Sequence, residues 1–147
     1  MLLLGTKNTT SQTLTVNGTV NLGEVYRKYC KKNNCGVKTF EFNGTSITLQ
    51  QSGIYHITTM LTYTAPAAGI ITFQLYENSN AITGAISSET ITTATTETRS
   101  SIIDIYVLVD NTYILDTIST AIKSISIVNT GDESTVSNVI FNVEKVV

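Results

Sequence analysis

His56 is the only histidine of this chain, so it is the one side chain whose ordinary pKa would let it carry a proton back and forth near neutral pH. A Ser-His-Asp triad would have to be built on it. It stands in the middle of an alternating apolar run with no acid near it in sequence, so a buried or interface histidine is expected and no catalytic residue is predicted. Cys30 and Cys35, the only thiols, frame the run Cys-Lys-Lys-Asn-Asn-Cys. Structural zinc takes four ligands, and two thiols with one distant imidazole do not supply them within one chain. A disulfide across the intervening residues is geometrically open, but a reducing cytoplasm disfavours it, and two free thiols in a basic turn are expected. Asp104, Asp110 and Asp116 recur at a regular interval with turns between them, and Asp132 and Glu133 fall in a loop. None of these forms the converging set of oxygens that calcium prefers. Neither a metal nor a cofactor is predicted. Tryptophan is absent, which counts against a carbohydrate-stacking platform, and the seven tyrosines are spread along the chain as the tips of core residues would be. Asn-x-Thr sequons at Asn8, Asn17 and Asn43 are the expected chance product of a threonine-rich chain.

Five of the nine basic residues, Arg27, Lys28, Lys31, Lys32 and Lys38, crowd around the cysteines. One reading is a solvated loop; the other is a contact patch for an acidic partner surface. A net charge of −2 gives no argument for nucleic acid.

The elements that position these residues are strands. With 147 residues the chain is one domain's worth of polymer. Charged residues are 14%, against about 25% in an average soluble domain, which excludes a charged disordered chain and a coiled coil. There are 26 threonines with many Ile and Val beside them, residues stiff at the first side-chain torsion and at home in strands. No stretch reaches the 18 apolar residues of a membrane helix, and Met1–Leu4 is too short for a signal peptide; no membrane partner and synthesis in a cytoplasm are expected. The Met1–Gly5 start is read either as a sticky arm that docks on a partner or as a frayed terminus or first edge strand.

Asn17-Gly18 between Thr13–Val16 and Thr19–Leu22 predicts a hairpin with a type I′ turn. Val37–Phe42, Thr45–Leu49, Ile70–Glu77 and Ala81–Ala85 read as strands. Ser87–Ser101 is either a low-complexity loop or an exposed edge strand. Ile102–Val109 is expected to be buried on most sides, with Thr112–Ser119 returning after a turn at Asp110-Asn111. Ile122–Val128 and Val136–Val146 close the chain. In Ile54–Thr64, Tyr55, Ile57, Thr59, Leu61 and Tyr63 share one face, and Ile54, His56, Thr58, Met60 and Thr62 the other. Nine or ten short strands with no helix of three turns predict a sandwich or barrel.

The order of segments from Asn43 carries a resemblance: Asn-Gly-Thr-Ser-Ile-Thr-Leu (43–49), Ser-Gly-Ile-Tyr-His-Ile (52–57), Ile-Thr-Phe-Gln-Leu-Tyr-Glu-Asn (71–78), Ile-Tyr-Val-Leu-Val-Asp-Asn-Thr-Tyr-Ile (105–114) and Val-Ile-Phe-Asn-Val (139–143). This resembles the tumour necrosis factor and complement globular-head jelly roll, and more narrowly the head fibres and capsid decorations of tailed phages. In those, a Gly-x-Val-Tyr-Arg-like segment precedes the jelly roll, as Gly23-Glu24-Val25-Tyr26-Arg27 does here. The resemblance implies an all-β, antiparallel jelly-roll sandwich over residues 37–147, after an N-terminal arm and hairpin over residues 1–36 that attaches it to a particle. It implies a non-enzymatic homotrimer on the phage head surface, whose partners are its own copies, capsid or other virion proteins and, in one version, a host-surface ligand. A trimeric surface module that binds a receptor or glycan is the alternative. The resembled fold packs one sheet face around a three-fold axis. That face would carry His56, Thr58, Met60, Ile140 and Asn142, with Arg27, Lys28, Lys31, Lys32 and Lys38 as the docking patch. Three imidazoles brought together would resist joint protonation. The other possibility for this face is that the N-terminal hairpin of the same chain covers it.

Overall fold

The computed structural model describes residues 1–34, 36–114 and 117–147, with side chains at all of these except 95, 112–114 and 117–120. Among them the threonine-rich, β-branched sequence forms thirteen strands and no helix. In chain order these are β1 (Leu2–Asn8), β2 (Gln12–Leu14), β3 (Glu24–Lys28), β4 (Phe40–Phe42), β5 (Ser46–Leu49), β6 (Gly53–Ala65) and β7 (Gly69–Glu77). They continue with β8 (Asn80–Ile91), β9 (Thr95–Val109), β10 (Asn111–Ile114), β11 (Thr117–Thr120), β12 (Lys123–Asn129) and β13 (Ser134–Lys145). One antiparallel sheet runs β3-β1-β13-β6-β9, with β2 continuing the line of β1 along β13; the other runs β4-β5-β12-β7-β8.

The period-two pattern of β6 is obeyed throughout: Tyr55, Ile57, Thr59, Leu61 and Tyr63 are buried. Tyr55, Ile57, Leu61 and Tyr63 share one core with Val139, Phe141 and Val143 of β13 and, from the second sheet, Ile71, Phe73 and Leu75 of β7 and Ile125 and Ile127 of β12. Each such side chain contributes about 1.5–3 kcal/mol by leaving water. Pro66 follows β6 directly, where a ladder donor is no longer needed, and Asn78 and Ser79, both at positive φ (49° and 69°), make the two-residue turn from β7 to β8.

Several expectations are corrected. The Asn17-Gly18 turn does not join a hairpin. Gly18 N–H donates to Thr15 O (3.0 Å), and only Asn17, at φ 66°, is left-handed. The chain then crosses from β2 in one sheet to a bridge between Thr19 and Val128 beside the other, because Leu14 and Val20 bury themselves on opposite walls of the same core. Residues 1–36 are likewise not packed apart from 37–147. Leu3, Leu4, Leu14, Val20 and Leu22 belong to the core, and β1 is an interior strand between β3 and β13. Gly23, at φ 80°, lets the return toward β3 press on β1, for a Cβ there would lie 2.7 Å from Asn8 Cα. Of the two readings of Ser87–Ser101 the edge strand holds: β8 and β9, each at the end of its sheet, flank residues 92–94. Where one returning strand over Thr112–Ser119 was expected, β10 and β11 pair with each other, Thr112 opposite Ser119; residues 115 and 116 lie outside the described residues. The tyrosines divide: Tyr55 and Tyr63 are buried, while Tyr26, Tyr29 and Tyr106 are exposed. Cys35, of the expected thiol pair, and Asp116, of the spaced carboxylates, lie outside the described residues.

Candidate functional site

Because side chains alternate along a strand, the buried face of β6, β13 and β9 fixes what stands on the outer face. The ladder pairs Met60 with Ile140, Thr58 with Asn142 and His56 with Glu144 on one side of β6. On the other side it pairs Met60 with Ile102, Thr58 with Asp104, His56 with Tyr106 and Ile54 with Leu108. The five residues expected at a subunit contact are therefore neighbours on one surface. Sequence reasoning missed the β9 contribution. Ile102–Val109 is not buried on most sides: Ile102 is 61% exposed, Tyr106 66% and Leu108 54%. The signal was present in the strict alternation of Ile103, Val107 and Val109, all buried, with Ile102, Asp104, Tyr106 and Leu108. A charged residue in the second set marks it as the outer one.

The N-terminal segment does not cover this face. β1 and β3 extend the sheet sideways, and Tyr26 leans over it. Its ring lies above Gly5, where any Cβ would fall within 2.8 Å of Cε2, and its hydroxyl donates to Asn142 Oδ1 at 2.5 Å.

His56 sits at the centre of this face between two acids that the sequence places far away. Its Nε2 bonds to Asp104 Oδ1, its Nδ1 is 3.6 Å from Glu144 Oε2, and its ring stacks on Tyr106 with centroids 4.7 Å apart and planes 16° apart. The hydrogen bond to Asp104 raises the imidazole above its ordinary value; partial desolvation opposes this, and the charge of Asp104 and the contact with Glu144 add to the rise. The arrangement joins β6 to β9 through the bond between His56 and Asp104 and sets Glu144 of β13 beside the same ring. Among the described residues no group of three or more His, Cys, Asp or Glu is arranged to hold a metal ion.

The basic residues divide between β3, which carries Arg27 and Lys28 at the open edge of the first sheet, and the connection to β4, which carries Lys31, Lys32 and Lys38. Lys28, Lys32 and Lys38 line one open groove with Cys30, Phe40 and Glu41. Arg27 and Lys31 do not line it. Cys30 is exposed, and its Sγ lies 3.4 Å from Phe40 O.

The architecture is that of the tumour necrosis factor and complement C1q jelly rolls, as expected from the order of the segments. The globular domain of zebrafish complement 1qA protein superposes with a TM-score of 0.64 at 7% identity, covering 100% of this chain and 98% of that one. The Eiger TNF of S. frugiperda gives 0.61 at 9% identity, covering 99% and 93%. The PRD1 vertex protein P5 gives 0.50 at 15% identity, covering 97% and 93%. No protein-family model and no curated protein matches the sequence.

Proposed function

We propose that this chain is a non-enzymatic structural protein that assembles as a homotrimer through the outer face of its first sheet and is displayed on a bacteriophage particle as a head fibre or capsid decoration. The observation that carries the proposal is the uncovered strip of Ile102, Tyr106 and Leu108 beside Met60 and Ile140. A monomer that leaves such side chains contiguous in water forgoes their hydrophobic stabilisation, and large exposed apolar patches mark association sites. A second copy of the same face covers them. The likeness in fold to complement and tumour necrosis factor domains supports assembly around a shared axis, and the likeness to a virion vertex protein supports the particle. Arg27, Lys28, Lys31, Lys32 and Lys38 form the docking side, where charge complementarity steers attachment.

Light scattering on the purified chain tests the assembly. A species of three times 15.9 kDa is expected, and Met60→Lys is expected to dissociate it, since unpaired ammonium groups would be buried together. A stable monomer at micromolar concentration overturns the assembly. Mass spectrometry of purified particles tests the location. Absence of the protein from them favours the alternative, a trimeric surface module for a receptor or glycan.

A further inference from the structure

β8 and β9 approach each other along one side of the sandwich, so β3 and β4, the end strands of the two sheets, mark the other. Between them runs a groove of about 510 Å³ lined by Lys28, Cys30, Lys32, Lys38, Phe40 and Phe42. Its charge is of one sign except for Glu41, which lies 3.8 Å from Lys38 with both side chains more than half exposed, a pair too solvated to neutralise the site. Lys32 and Lys38 are directly opposed across an antiparallel bridge. Like charges facing each other in that way are destabilising, and an anion between them would reverse the sign of that contribution. Lys28 reaches the same groove from β3. Apolar wall alternates with cation, and β4 pairs with β5 on one side only.

We propose that this groove binds an extended acidic polypeptide segment laid along β4, with carboxylates at alternate positions meeting Lys28, Lys32 and Lys38 and apolar side chains between them against Phe42. An extended chain places alternate side chains on one face about 7 Å apart, so that one carboxylate meets the opposed Lys32 and Lys38 and another meets Lys28. The groove is lined by lysines, without the planar fork of arginine that favours bidentate phosphate recognition. The proposal deepens the docking role given above to the basic stretch and does not depend on the trimer.

The test titrates the purified full chain against a short fluorescein-labelled peptide of alternating Glu and Val, with a Lys-Val peptide as control, read by fluorescence anisotropy. Saturable binding of the acidic peptide alone is expected. It should weaken several-fold between about 50 and about 200 mM salt and about tenfold in the Lys32→Glu, Lys38→Glu double variant, whose exposed positions leave circular dichroism unchanged. No saturable binding at the lower salt, equal binding by the double variant, or displacement of the peptide by equimolar tripolyphosphate or duplex DNA overturns the proposal. If the peptide does not bind while the double variant fails to decorate particles, the docking role stands and the acidic strand falls. If the peptide binds and the double variant decorates normally, the acidic strand stands and the docking role falls.

Discussion

At the scale of single residues, His56 shows how strand register creates chemistry that linear order hides. Asp104 is 48 residues away along the chain and Glu144 near its far end, yet the two neighbouring strands set one on each side of the ring. No spacing rule could bring them together before the pairing of β6 with both β9 and β13 was known. That His56 lies on the outer face was legible, because the alternation of Ile54–Thr64 assigns it there; its partners were not. Because the chain has one histidine, an NMR pH titration reads it without ambiguity. The midpoint is expected above 6.5, with Asp104→Asn lowering it more than Glu144→Gln, since the hydrogen bond to Asp104 is the largest cause of the rise. A midpoint at or below 6.5 in the unaltered protein would show that the acids do not hold the proton. The sign of the linkage follows: a group whose pKa is higher folded than unfolded adds stability that is complete below the unfolded value and disappears as pH rises through the folded one. Urea midpoints are therefore expected to fall as pH is raised through that window, and His56→Asn should flatten the dependence.

Among the elements, β1 decides whether the N-terminal stretch is an appendage or a wall of the core. The sequence offered both readings for Met1–Gly5, and three leucines in a row do not alternate, so periodicity was silent. The structure buries Leu3 and Leu4 and pairs β1 with both β3 and β13. Leu4→Ala is expected to cost about 2–5 kcal/mol in urea unfolding, the range for truncating a fully enclosed leucine; a cost near zero would show β1 to be dispensable. A chain beginning at residue 37 would lack β1, β2, β3 and five core side chains, and soluble folded protein is not expected from it. β3 is held to β1 by the fit of Tyr26 over Gly5. Gly5→Ala should cost about 1–3 kcal/mol through overpacking. Much of that cost should vanish in a Tyr26→Ala background, a coupling that a double-mutant cycle measures directly. The two Asn-Gly turns show where local signals reach their limit. Asn43-Gly44 does join β4 to β5, with Asn43 Oδ1 accepting from the Thr45 and Ser46 amides (3.0 and 2.8 Å). Asn17-Gly18 instead carries the chain between sheets, because burial of Leu14 and Val20 outweighs the preference of the dipeptide. β9 was misjudged for a related reason: exposed Ile, Tyr and Leu mimic a buried strand when composition is weighed before alternation.

For the whole molecule, the question is what happens to Asp104 and Glu144 when the outer face meets its copies. On the free chain both carboxylates are about half exposed (57% and 49%), and water supports their charge. In the proposed trimer every copy brings one imidazole and two carboxylates toward the contact, so assembly without protons on the histidines would desolvate carboxylates alone, which is costly. Assembly with protonated histidines gives each carboxylate a partner. Trimer formation therefore favours the charged imidazole, and by linkage a lower pH favours the trimer. The apolar strip of Ile102, Tyr106 and Leu108 supplies the pH-independent part, by removal of surface from water. Sedimentation equilibrium at about pH 6 and about pH 8, on either side of neutrality where an imidazole can change charge, is expected to give the tighter trimer at the acid end. His56→Asn should remove most of that difference while leaving a trimer, and Ile102→Glu should weaken assembly at both pH values. A trimer equally tight at both pH values, or looser in acid, would mean that the charge cluster stays in water and that assembly uses a different part of the face.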